Sequence, residues 1–192
     1  MPPCCREKIM AVTRLVVADL NRLRIPYMFF GGAVLGWMRN RKFVPYDQDV
    51  DIWMDGRLWD TPMFNQLRRN WTEKFGLYTE YRDERFKLWT FYSDKNKQGL
   101  DIWPWYVDRP LEVINGTAFY SSSQRMVNLG EIFERKEAIP YKVIFPRKPV
   151  HFEGMDTFVP HKPAAYNFHA YGRNWRKEMR CTKTNEDRKC LE

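Results

Sequence analysis

The chain has 192 residues, 44% of them hydrophobic and 16% aromatic, which suits one folded domain with a substantial core and excludes a disordered polymer. Its net charge of +8 and pI of 9.3 favour an anionic partner. The basic residues are spread out, with modest clusters at Arg39–Lys42 and Arg173–Lys189 and no long Lys/Arg tract, which places a phosphorylated substrate or an anionic membrane ahead of nucleic acid.

Residues 7–24 predict an amphipathic helix, because Ile9, Val12, Val16, Leu20 and Leu23 recur at helical spacing, and Pro26 ends it. Tyr27–Phe30 reads as a short apolar strand, Gly31-Gly32 as a turn and Ala33–Asn40 as a short helix. Pro45 leads into a strand over Val50–Met54. Asp60–Phe75 reads as a helix with Pro62 in its first turn. Leu77–Tyr81 and Arg85–Tyr92 read as strands, Ser93–Gln98 as a polar turn, and Gly99–Val107 as a further strand. Prolines at 110, 140, 146, 149, 160 and 163 then predict a loop-rich stretch. Ala164–Tyr171 reads as a short helix ended by Gly172, and the polar tail after Trp175 is expected to fray. The pattern predicts one α/β or α+β domain over residues 7–176, with 177–192 as a tail.

No run is long and apolar enough to span a membrane; the longest uncharged stretch, Ile25–Met38, is broken by Pro26 and the glycines. The opening MPPCCREK does not read as a signal peptide, so the chain is expected to be cytosolic or part of a longer precursor. Cys4, Cys5, Cys181 and Cys190 lie at the two ends, as disulfides of an oxidising compartment or as plain thiols; they lack the C-x-x-C spacing of a zinc site. The sequons Asn70-Trp71-Thr72 and Asn115-Gly116-Thr117 favour the secretory pathway slightly.

The chemistry concentrates between Phe29 and Trp53. Asp49 and Asp51 alternate along an apolar strand, so both carboxylates share one face. Such a pair repels and is costly to desolvate unless a cation neutralises it, which makes Asp49 and Asp51 candidate ligands for Mg²⁺ or Mn²⁺. The bland alternative, a solvated turn, fits Asp47 better, because that residue precedes the strand. Asp101 lies in the apolar GLDIWPW. If that strand neighbours Val50–Met54, Asp101 completes a three-carboxylate site or accepts a proton from an attacking hydroxyl; otherwise it is a structural acid. Gly31 and Gly32 let backbone approach a phosphate, although a lone Gly-Gly is often only a turn. Arg39, two helical turns on, is a candidate to neutralise a diphosphate, with Arg41 and Lys42 read as a solvated loop. Trp103, Trp105, Tyr171 and Trp175 offer rings for stacking or belong to the core. His151, His161 and His169 are scattered and read as structural or surface residues. No Walker A, G-x-G-x-x-G or G-x-S-x-G motif occurs.

These residues match a known pattern. GGAVLGWMRNRKFVPYDQDVDIWM resembles the signature of the LicD/fukutin family, usually GG-x-LLG-x-x-R followed after a short gap by PWDDDIDI. GLDIWPW resembles the family's LDIFP segment, and FEGMDTFVPHKPAAYNFHAYGRNW its closing pattern of an apolar-Glu-Gly segment, a Pro-containing turn and YG-x-x-W. The three blocks span residues 29 to 175 in the family's order. PYDQD with an upstream Cys-Cys is similar to animal members of the fukutin-related branch. The resemblance implies a polymerase-β-type nucleotidyltransferase fold, an α/β (α+β) architecture with a mixed sheet flanked by helices. It implies metal-binding or catalytic roles for Asp49, Asp51 and Asp101, a phosphate-side role for Gly31, Gly32 and Arg39, and Mg²⁺ or Mn²⁺ as cofactor. The implied reaction moves a phospho-alditol or phosphocholine group from CDP-ribitol, CDP-glycerol or CDP-choline to a glycan or glycoprotein hydroxyl, releasing CMP, in the Golgi lumen. Gln48 replaces an acid of the usual run and Tyr46 a Trp, which puts any role of position 48 in doubt. Two alternatives remain open: transfer of NMP itself to a protein, sugar phosphate or RNA end, and a non-catalytic binding domain.

Overall fold

The computed structural model describes residues 3–45, 47, 49–81, 89–92, 99–107, 126–128, 139–177, 180–183 and 188–191. Helix α1 (Pro3–Arg22) buries Ile9, Met10, Val12, Thr13, Val16, Val17 and Leu20, a stripe at three- and four-residue spacing. Arg24 adopts φ 54° and the Ile25 N–H donates to the Leu20 carbonyl, closing the helix in the usual left-handed way. Leu23, expected on the apolar face, falls past that closure and is exposed.

Strand β1 (Tyr27–Phe29) is wholly buried. Helix α2 (Gly31–Asn40) takes both glycines into its first turn, where the sequence had suggested a turn before the helix. Strand β2 spans Asp49–Asp55, one residue longer at each end than expected. After a 3₁₀ turn at Gly56–Leu58, helix α3 (Pro62–Phe75) is capped by the Thr61 hydroxyl, which accepts from the Phe64 N–H, and ends at Gly76 with φ 64°. Its Trp71 is fully buried and donates its indole N–H to Asp19 of α1 at 2.9 Å. Thus the first sequon lies on a packed helix; the second lies outside the described residues.

Strands β3 (Tyr78–Tyr81), β4 (Trp89–Tyr92) and β5 (Gly99–Val107) follow. The rest of the strand expected from Arg85 and the turn at 93–98 lie outside the described residues. The main sheet is ordered β1-β2-β5-β4-β3. Among the described strands only the β2–β5 pair is parallel, so the sheet is mixed, as expected, with helices flanking it. Strands β6 (Met126–Asn128) and β7 (Ile139–Pro140) extend it from the far end of β5.

The stretch expected to be loop-rich holds more structure. Helix α4 (Tyr141–Ile144) precedes a hairpin of β8 (Lys148–Phe152) and β9 (Met155–Val159). Glu153 and Gly154 turn it with φ 51° and 79°, the positive pair that a tight hairpin requires. Pro149 is tolerated because β8 has a ladder partner on one side only. Helix α5 (Pro163–Tyr171) ends at Gly172. The tail expected to fray carries a second hairpin, β10 (Arg180–Lys183) and β11 (Arg188–Leu191), whose register sets Cys181 opposite Cys190. One core cluster joins α1, β1, α2, β2, α3, β5 and the β8–β9 hairpin, with Phe30 stacked on Trp53 at 4.1 Å between centroids.

Candidate active site

The parallel β2–β5 pair sets the acids. Asp51 and Asp101 are register partners, so their side chains leave one face of the sheet from adjacent strands. Asp49 lies two residues upstream on that face and is exposed, Asp51 is half-buried and Asp101 is buried. The sequence-based condition for bringing Asp101 to Asp49 and Asp51 is therefore met. Asp55, at the opposite end of β2, pairs with Arg57 at 2.5 Å and belongs to the scaffold.

Helix α2 begins directly beside these acids, because the Phe30 N–H donates to the Asp51 carbonyl and Gly31 follows at φ 57°. The absent glycine side chains make the room. A Cβ on Gly31 would stand 3.0 Å from Asp51 Oδ2, and one on Gly32 only 1.8 Å from Asp47 Oδ2. Asp47, read from sequence as a solvated acid, thus lies against the helix start. Its spacing, two residues before Asp49, is the signal that could have placed it with the other acids. Gln48 and Tyr46 lie outside the described residues.

The loop carrying Asp47 is held from two sides. A Cβ on Gly36 would meet the Lys42 carbonyl at 2.3 Å and the Val44 nitrogen at 2.9 Å, so the loop backbone runs directly over α2. From the other side the Glu153 carboxylate accepts from the Phe43 N–H at 3.0 Å and pairs with Arg6 at 2.5 Å. The Glu-Gly of the closing motif therefore braces the loop that carries an acid.

Trp103 and Tyr166, far away in the chain, touch this centre. The Trp103 indole N–H donates to Asp51 Oδ1 at 3.0 Å, a role that sequence reasoning missed. The Gly31 N–H donates to the buried Tyr166 hydroxyl at 2.8 Å, so this amide of the helix start already has an acceptor. The Tyr166 hydroxyl is pushed up by burial, with the Gly31 N–H opposing and Asp51 adding. Tyr171 keeps part of its ring exposed; its hydroxyl is pushed up by burial, then by Tyr166, Asp47 and Asp51, with Arg39 opposing. Arg39 donates to the carbonyls of Trp175 and Lys177, roughly 12 Å along the α2 axis from Gly31. It straps the YGRNW segment onto α2. Trp175 and Trp105 are buried, so among the four aromatic candidates Tyr171 presents ring surface.

Electrostatics tests the fit of a cation. The Asp51 carboxyl is held well above its ordinary value by burial, then by Asp49 and Asp101; the Trp103 N–H opposes and Asp47 adds. Mutual repulsion among hard oxygen donors is what Mg²⁺ or Mn²⁺ relieves. Among the described residues no three acids, histidines or cysteines are grouped closely enough to hold a metal ion as they stand, so the fit is one of donor chemistry and not of a formed site. No helix among them is long and apolar enough to cross a membrane.

The family profile described as LicD/FKTN/FKRP, nucleotidyltransferase domain, matches residues 24–162. Ribitol 5-phosphate transferase FKRP of Mus musculus and of Homo sapiens is 31% identical over 109 residues, 55% of this chain and 22% of the relative. Ribitol-5-phosphate transferase FKTN of Homo sapiens is 25% identical over 177 residues, 89% of this chain and 34% of the relative. The alignments thus cover between 22% and 34% of these relatives' length. A solved structure of the lincosamide antibiotic adenylyltransferase LnuA, bound to lincomycin, aligns with a TM-score of 0.45 and 13% identity, covering 81% of this chain and 82% of that one. With the signature blocks on β2, α2, β5 and α5 and the profile spanning most of the chain, this protein belongs to the LicD/FKTN/FKRP nucleotidyltransferase-domain family.

Proposed function

We propose that this chain catalyses transfer of a phospho-alditol group from a CDP-linked donor to a glycan hydroxyl, with release of CMP. The observation that carries the reading is the register of Asp51 with Asp101 directly beside the glycine-started helix α2. The curated relatives are ribitol 5-phosphate transferases, which favours CDP-ribitol over CDP-glycerol and CDP-choline. In the proposed step an acceptor oxygen bonds the phosphorus attached to the alditol. The bond from that phosphorus to the oxygen of CMP breaks, and CMP leaves with the electron pair. The acceptor proton passes to Asp101, which is buried beside the acids and needs only to hold it briefly.

Mg²⁺ or Mn²⁺, held by Asp49, Asp51 and Asp101, would supply charge neutralisation at the attacking and leaving oxygens. Gly31 and Gly32 let the carboxylates of Asp51 and Asp47 come up to the start of helix α2, the side on which the diphosphate would lie. Arg39 supports the site through the segment that it straps onto α2. The exposed ring of Tyr171 offers a stacking surface at the rim. By kinship the setting is the secretory pathway, in the Golgi lumen, with a glycoprotein as acceptor.

The test is CMP release. The protein is incubated with CDP-ribitol, CDP-glycerol or CDP-choline, candidate glycans and Mn²⁺. Release with one matched pair, lost in Asp49→Ala and Asp51→Ala, is the expected result. Undiminished release by both variants, or a product that retains the nucleotide, overturns the reading.

A further inference from the structure

We propose that Trp103 is a positioning residue for this reaction, fixing the carboxylate of Asp51 so that its Oδ2 edge stays turned toward the start of helix α2. The proposal rests on the functional reading above. Trp103 lies on β5, two residues beyond Asp101 and opposite Trp53. Its indole N–H meets Asp51 Oδ1 at 3.0 Å, while Asp51 Oδ2 faces the space that a Gly31 Cβ would fill, 3.0 Å away. The carboxylate is thus defined at both edges, by a donor on one side and by a missing side chain on the other.

An indole N–H can donate but never accept. It therefore holds the Asp51 carboxylate in one orientation by its Oδ1 edge. Without the donor, Asp51 is free to rotate, which withdraws Oδ2 from the site. Trp103 touches no reacting atom in this scheme; it acts through Asp51.

Trp103→Phe retains a ring in the same place and deletes the donor. Mn²⁺ binding by calorimetry is expected to weaken about 10- to 100-fold, the usual consequence of removing a group that orients a metal ligand. A double-mutant cycle of Trp103→Phe with Asp51→Leu, read by urea unfolding in EDTA, is expected to show a coupling of about tenfold in the unfolding constant. An Mn²⁺ affinity within twofold of wild type overturns the proposal, whatever the cycle shows, because the hydrogen bond is then merely structural. Additive effects in the cycle overturn it as well. If the wild-type chain binds no Mn²⁺, the metal-dependent reaction fails on its own account and the cycle alone decides whether Trp103 acts on Asp51.

Discussion

At the scale of single residues, two glycines of one helix make opposite predictions. A methyl on Gly32 meets the movable end of the Asp47 side chain, and alanine is the better helix former. Gly32→Ala is expected to hold its melting temperature within a few degrees while CMP release falls at least tenfold. A methyl on Gly36 meets loop backbone at 2.3 Å, which cannot swing aside. Gly36→Ala should cost about 1–3 kcal/mol as overpacking, read as a lowered urea midpoint. Asp51 predicts a pH dependence. Its carboxyl is raised by burial, then by Asp49 and Asp101, so the folded chain retains a proton that the unfolded chain releases. That contribution is fully present below the unfolded carboxyl range and is lost as pH rises through the folded value. In EDTA, stability should therefore decline from about pH 4 upward, and Asp51→Asn should flatten the decline in melting temperature. The shared face of Asp49 and Asp51 was legible from alternation on one strand; Asp101 depended on strand pairing, and Asp47, which precedes the strand, was read as a solvated acid. Trp103 and Tyr166 were not legible, because their partners lie 52 and 135 residues away and no local pattern encodes such a meeting.

At the scale of elements, the clearest periodicities were legible. Gly99–Val107 forms as expected, while α1 runs Pro3–Arg22 against an expected 7–24 and α3 starts at Pro62, two residues after the expected Asp60. The β8–β9 hairpin was hidden by its prolines, which ordinarily oppose strands; here Pro149 lies on a strand with one neighbour and Pro146 and Pro160 flank the unit. The hairpin's tip explains why an Glu-Gly pair recurs in the closing motif. Glu153→Ala removes the acceptor of the Phe43 amide and the partner of Arg6. It is expected to lower stability by about 1–3 kcal/mol and to speed hydrogen exchange at the Phe43 amide, measured by NMR, before that of α3 amides.

At the scale of the whole molecule, the mixed sheet orders the blocks that the sequence spaces far apart. Among the described strands the one parallel pair carries the acids, while Arg6 ties α1 to the β8–β9 hairpin and Arg39 ties the YGRNW segment to α2. Trp175 packs with Leu35 and Val44 in a small cluster of its own. Arg39→Met should release that segment, so limited trypsin digestion is expected to cut at Arg173 and Arg176 sooner than in wild type, seen by mass spectrometry. The contact at Gly36 has a further consequence for how this region can change. Because loop backbone lies on helix backbone there, the chain between Asn40 and Asp47 works as a gauge of fixed length. One inserted residue carries Asp47 onward by about 3.3–3.6 Å, more than a hydrogen bond's reach. The exposed side chain of Lys42 can drift while the residue count stays constant, whereas Phe43 and Val44 are tied to the core.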